Sequence, residues 1–99
     1  MYRSIQDRYA AQCDGDWEHG FGVKIETLDN PGWTVSIDLT GTALEDVEFT
    51  EISNIEPEID WIQCSVQEGL FEGACGPRML ETLLSSFLDW ANRSQRPAP

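Results

Sequence analysis

FGVKIETLDNPGWTVSIDL, residues 21–39, holds two alternating runs separated by a short break. Phe21, Val23 and Ile25 alternate with Gly22, Lys24 and Glu26, and Trp33, Val35, Ile37 and Leu39 alternate with Thr34, Ser36 and Asp38. A period of two sends successive side chains to opposite faces, so each run reads as a strand with one apolar and one polar side. Between them, Asn30-Pro31-Gly32-Trp33 predicts a type II turn, because proline presets φ at its first central position and glycine accepts φ > 0 at its second. The stretch predicts a β-hairpin, and hence a sheet with one face to bury.

The rest of the chain extends that sheet and covers it. Thr40-Gly41-Thr42 ends the second strand, and Val47 and Phe49 predict a short third one with Glu48 and Thr50 outward. SNIEPEID, residues 53–60, is polar and interrupted by proline, and reads as a loop. Ile62, Cys64 and Val66 alternate with Trp61, Gln63 and Ser65 in a fourth strand; a turn at Glu68-Gly69 leads to a fifth, Leu70-Phe71-Glu72, closed by GACGP. At the C-terminal end Leu80, Leu83, Leu84, Phe87, Leu88 and Ala91 fall on one stripe of a helix, with Arg78, Ser85, Asp89 and Arg93 opposite and Pro77 suited to its first turn. At the N-terminal end Tyr2, Ile5, Tyr9 and Cys13 share a helical face, and Asp14-Gly15 stops the helix. The expectation is an α+β fold: about five mostly antiparallel strands in one sheet, with an N-terminal and a C-terminal helix packed on one face. A single domain is expected over residues 1–93, with residues 94–99 as a flexible polar tail.

Composition bounds the function classes. A chain of 99 residues with 40% hydrophobic content, four Trp and four Phe is globular. No apolar run approaches the roughly 18 residues of a membrane span, and the N-terminus has no signal-peptide core, so a cytoplasmic location is expected. Three widely spaced cysteines fit free thiols in a reducing compartment. The net charge of −12 is unevenly placed: all twelve acidic residues from Glu26 to Glu72 fall in a stretch with no Lys or Arg between Lys24 and Arg78. Such a field repels nucleic acid and anionic membrane and accelerates association with a basic partner.

Three features could carry chemistry. The stretch QCDGDWEHGFG, residues 12–22, gathers Asp14, Asp16, Glu18 and the single histidine, His19, which are oxygen and nitrogen donors suited to a divalent metal. Its spacing lacks the calcium-loop pattern and a second histidine, so no metal or cofactor is expected. The competing reading has Asp14-Gly15 make the helix exit, Trp17 cover a core edge, and Glu18 or His19 bond nearby backbone. Cys75, just before a helix N-terminus, could serve as an activated thiol. Trp61 falls by strand parity on the face the helices leave open, beside Asp60, where tryptophan is a common interface anchor; a bulge would instead turn it into the core.

QCDGDWEHGFGVKIETLDNPGWTVSIDLTGTAL, with DWIQCSV, LFEGACGP and LETLLSSFLDW, resembles the immunity protein 53 family of bacterial polymorphic toxin systems, from about residue 5 to 91. The resemblance implies a non-enzymatic protein that binds and neutralises a cognate toxin, and it contributes no catalytic residues. Charge and parity nominate Glu48, Glu58, Asp60, Trp61 and Glu68 as toxin contacts, with Trp17 and Glu18 at the helix exit as further candidates. The expected partner is a basic, nuclease-type toxin, since a nuclease must present Lys and Arg to phosphate. The alternatives are a small thiol enzyme using Cys75 and an acidic mimic of nucleic acid. The oligomeric state is left open.

Overall fold

The hairpin expected over residues 21–39 forms, but Gly32 serves it for a different reason. The computed structural model describes residues 2–54 and 60–94. Strands β1 (Val23–Leu28) and β2 (Gly32–Asp38) pair antiparallel with Leu28 opposite Gly32, so Asp29, Asn30 and Pro31 make the connection. Gly32 begins β2 and is not among the positive-φ glycines, so the type II turn is not made. Glycine is needed there for close approach: a Cβ would collide with the Cys75 carbonyl oxygen and stand 3.3 Å from the Trp61 ring.

Strands β3 (Ile52–Asn54), β4 (Ile62–Gln67) and β5 (Leu70–Cys75) complete one open antiparallel sheet in the order β1-β2-β5-β4-β3. The chain leaves β2 in mid-sheet, crosses to the far edge at β3, and returns through β4 to lay β5 beside β2. The β4–β5 hairpin turns on Glu68 at φ 51° and Gly69 at φ 76°, the left-handed pair of a two-residue loop whose twist matches the flanking strands. β5 runs three residues beyond its expected end, through Gly73, Ala74 and Cys75.

The third strand is displaced from its expected place. Val47 and Phe49 do turn inward against the core while Glu48 and Thr50 stay exposed, yet this segment is irregular and pairing begins only at Ile52. Its alternation reflects packing under the C-terminal helix: Phe49 meets Phe71 at 5.5 Å and Trp90 at 5.0 Å edge to face, and Trp90 Nε1 donates to the Glu48 carbonyl at 2.8 Å. The loop expected over residues 53–60 therefore starts later than supposed, since Ser53 and Asn54 are strand; residues 55–59 lie outside the described residues.

Helices occupy one side of the sheet. The C-terminal α3 (Leu80–Ser94) buries Leu83, Phe87, Trp90 and Ala91 over Val35, Ile37, Phe71, Cys64 and Cys75. Leu83 and Phe87 are fully buried, each stabilising the fold by about 1.5–3 kcal/mol relative to exposure. Pro77 lies three residues before the helix, in a turn closed by Met79 N–H on the Gly76 carbonyl at 3.1 Å. The helix includes Ser94, one residue into the expected tail, and residues 95–99 lie outside the described residues.

The N-terminal α1 (Ile5–Gln12) is capped by Ser4, whose hydroxyl accepts from the Asp7 N–H at 3.1 Å. Its inward face is rotated from the expected one. Tyr9 is 37% exposed and Cys13 is exposed, while Arg8 is 1% exposed. The Arg8 guanidinium lies 5.4 Å over the Phe87 ring and its Nη2 donates to Thr42 Oγ1 at 3.1 Å, whereas Nε and Nη1 have no hydrogen-bond partner among the described residues. Burial lowers its pKa from the ordinary arginine value, a pull that Tyr2 partly opposes. Tyr2 and Asn92 exchange two hydrogen bonds, at 2.8 and 2.9 Å, tying the N-terminal segment to the end of α3. A one-turn helix, α2 (Trp17–Gly20), follows and was not foreseen. Among the described residues no helix is long and apolar enough to cross a membrane.

Candidate functional site

With the helices on one side, alternate residues of the strands face outward on the other. In register across the middle of the sheet, Ser36 of β2, Glu72 of β5 and Ser65 of β4 stand side by side, as do Thr34, Ala74 and Gln63 one step along. These short side chains leave a groove of about 470 Å³ that Ser53 and Glu51 close toward the β3 edge. Glu72 occupies its centre. The single ion pair among the described residues joins Lys24 and Glu26 at 3.8 Å on β1, so no cation of the described chain neutralises Glu72. The face is hydrophilic because it carries hydroxyls, amides and carboxylates, and it is uncovered.

Trp61 lies at one end of this face. It is half-buried and outside the core cluster, with its ring against Gly32, which shares strand parity with Thr34 and Ser36. The Trp61 carbonyl accepts from the Gly76 N–H at 2.9 Å, holding the entry to β4 against the exit of β5. Asp60 beside it is exposed. Glu68 is exposed at the opposite end of β4, about 23 Å from Trp61 at about 3.3 Å per residue. Glu48 is exposed on the helix side, where its carbonyl binds Trp90, and Glu58 lies outside the described residues. The fold therefore brings Asp60 and Trp61 together and separates them from Glu48 and Glu68. Glu72 and Glu51, which line the groove, were not singled out from sequence. Alternation against buried Phe71 could have found Glu72, whereas the misplaced third strand hid Glu51.

Two carboxylates of the CDGDWEH stretch, Asp14 and Glu18, are spent on its own backbone. Asp14 Oδ1 accepts from the N–H groups of Asp16 and Trp17, both at 2.9 Å, and the Glu18 carboxylate accepts from those of Asp14 and Gly15 at 3.0–3.1 Å. The Trp17 and Asp16 N–H groups hold the Asp14 carboxyl below its ordinary value, and Glu18 is lowered by its own N–H and then by those of Gly15 and Asp14. Gly15, at φ 100°, provides the left-handed step after the helix. Trp17 is 6% exposed, donates from Nε1 to the Thr40 carbonyl at 2.9 Å, and packs between Tyr9 and Phe21 with ring centroids 6.1 and 6.0 Å away. Of the two residues nominated as contacts here, Trp17 is buried and presents only a rim, and Glu18 is half-buried. Among the described residues, no group of three or more His, Cys, Asp or Glu could hold a metal ion.

Cys75 sits inside β5, five residues ahead of α3, and is fully buried. Burial pushes its thiol up, opposed in part by a backbone hydrogen bond involving Trp33. A nucleophilic cysteine needs the reverse, a lowered pKa and access.

No curated protein and no solved structure matches the chain. A family model, that of immunity protein 53, matches residues 2–92, and with nearly the whole chain covered this protein belongs to the immunity protein 53 family.

Proposed function

We propose that this immunity protein holds its cognate toxin on the uncovered face of the sheet, that the toxin is basic and of nuclease type, and that Glu72, Glu51, Asp60 and Trp61 are the principal contacts. The observation that carries the reading is the central groove, a polar concavity with Glu72 at its middle, no cation among the described residues paired with it, and a half-buried tryptophan at the end of the same face. A carboxylate in a shallow site lined by Ser and Thr hydroxyls suits an arginine or lysine side chain, which would gain charge-assisted hydrogen bonds. A nuclease carries such residues where phosphate binds, so occupying them blocks its substrate. The excess charge of the sheet segment, including Glu48 and Glu68 away from the groove, adds the long-range field that steers encounter. The place of action is the cytoplasm of the producing cell, where a toxin would otherwise reach its target. Trp17 and Glu18 form a secondary edge in this reading.

Co-expression with the product of the adjacent toxin gene, followed by co-purification, tests the binding itself. With the complex in hand, Glu51→Lys with Glu72→Lys should slow association by at least about tenfold at low salt, and added salt should slow the wild type in the same direction. Trp61→Ala should act on dissociation, costing about 2 kcal/mol of affinity. Circular dichroism on each variant confirms that it folds. A folded double reversal that associates as fast as wild type removes this face from the interface.

A further inference from the structure

We propose that the β1 edge is a self-complementary docking strand that pairs antiparallel with β1 of a second copy of this chain, Ile25 opposite Ile25. β1 is one margin of the sheet: β2 bonds it on one side, and no described strand lies on the other. An edge of this kind offers unpaired N–H and C=O groups to a further strand. Lys24, Ile25, Glu26 and Thr27 are all exposed along it. Ile25, at 38%, is one of three exposed large hydrophobic residues among the described residues, and Phe21, also at 38%, lies two residues before the same strand.

The charges select the partner and the register. Lys24 and Glu26 share the open face of the sheet, and Lys24 is the one Lys or Arg between Arg8 and Arg78. When two copies pair about Ile25, Lys24 of each stands opposite Glu26 of the other, giving two opposite-charge cross-strand pairs related by a two-fold axis. Sliding by one residue on each strand puts Lys24 against Lys24 or Glu26 against Glu26. A half-step slip turns the polar face of one sheet toward the apolar side of the other, which strand periodicity disfavours. Only the Ile25-centred register matches both face and charge. The Lys24–Glu26 contact within one chain, 3.8 Å between side chains 74% and 62% exposed, leaves both groups accessible for such an exchange. The large net charge of each copy opposes association at low salt but is screened beyond about 8 Å at physiological ionic strength. The dimer would leave both grooves open on one continuous sheet surface, so it stands whether or not the groove binds a toxin.

The test is a charge exchange read by sedimentation velocity at about 0.15 M salt, from about 10 μM to about 1 mM protein, the range of weak specific dimers. Wild type should show a concentration-dependent monomer–dimer equilibrium. Lys24→Glu alone and Glu26→Lys alone each place like charges opposite one another twice, and each should weaken the dimer by at least about tenfold. Equimolar mixing of the two single variants restores both pairs, so a heterodimer should form in the mixture. The double variant Lys24→Glu/Glu26→Lys should dimerise like wild type. Both substitutions lie at exposed positions and leave the core untouched. A wild type that stays monomeric throughout, or single variants that dimerise as well as wild type, or a mixture without heterodimer, would each overturn the proposal.

Discussion

Replacing Gly73 with alanine measures how closely α3 lies on the sheet. A Cβ at Gly73 would stand 2.9 Å from Leu83 Cδ1, 3.0 Å from Cδ2 and 3.1 Å from Cγ. Favourable carbon contacts begin near about 3.5 Å, so the shortfall is about half an ångström. Both branches and their junction are struck together, so rotating Leu83 exchanges one clash for another, and full burial leaves it nowhere to go. The relief available is a small lift of α3 from β5. Overpacking by a methyl group costs about 1–3 kcal/mol, and roughly 0.5 kcal/mol is recovered because alanine is less flexible than glycine in the unfolded chain. A net loss of about 1–2 kcal/mol should lower the urea midpoint by about 1 M with the slope unchanged. Leu83→Ala alone should cost about 2–5 kcal/mol through the cavity it opens, and in the Gly73→Ala background the added methyl partly fills that cavity. The two changes together should then cost less than their sum by at least about 1 kcal/mol. A Gly73→Ala protein as stable as wild type, or effects that add to within about 0.3 kcal/mol, would refute the close packing.

The buried Arg8 yields a comparison of two replacements. Arg8→Met keeps an apolar stem over Phe87 and removes both the charge and the two unpartnered nitrogens, so its urea-unfolding stability should stay within about 1 kcal/mol of wild type. Arg8→Ala leaves a void and should cost about 2–4 kcal/mol; a methionine variant as unstable as the alanine one would show that the guanidinium itself is required. Thiol labelling of the native protein with a chromogenic disulfide should modify exposed Cys13 rapidly and buried Cys64 and Cys75 only on unfolding. Burial, reinforced by Cys75, pushes the Cys64 thiol from 9.0 up to about 11. The folded state therefore holds that proton more tightly than the unfolded one. The associated stability is fully present below about pH 9 and lost as pH rises through about 11, an effect on the order of 2–3 kcal/mol that Cys64→Ser should remove from the stability-versus-pH curve.

Much of the secondary structure was legible because it depends on local periods. The alternations around Val35 and Cys64, the Glu68-Gly69 turn and the apolar stripe around Leu83 and Phe87 each identify an element from a few neighbouring residues. Local period also assigned Trp61 to the side opposite Ile62, where its ring meets the outward position of Gly32. The errors share a cause. Gly32 was assigned to a turn because Pro-Gly has a strong local preference, but its need for a hydrogen side chain comes from Cys75 and Trp61, far along the chain. Val47 and Phe49 alternate as a strand does, yet what they alternate against is α3 and β5, so the same pattern arises without pairing. Arg8 is polar by type and buried by circumstance, since Phe87 and Thr42 arrive from elsewhere to receive it.

The candidate face divides the same way. That the middle of the chain carries the acidic excess, and that one side of a five-stranded sheet would stay uncovered by two helices, followed from sequence alone, because composition and side-chain period need no knowledge of neighbours. Which carboxylates share that uncovered side was decided only by the strand order β1-β2-β5-β4-β3. The crossover to the far edge sent Glu48 to the helix side, the hairpin carried Glu68 to the opposite end of β4 from Trp61, and the placing of β5 between β2 and β4 set Glu72 at the centre between Ser36 and Ser65. A charge acts through distance, and distances between residues remote in sequence exist only once the chain has folded.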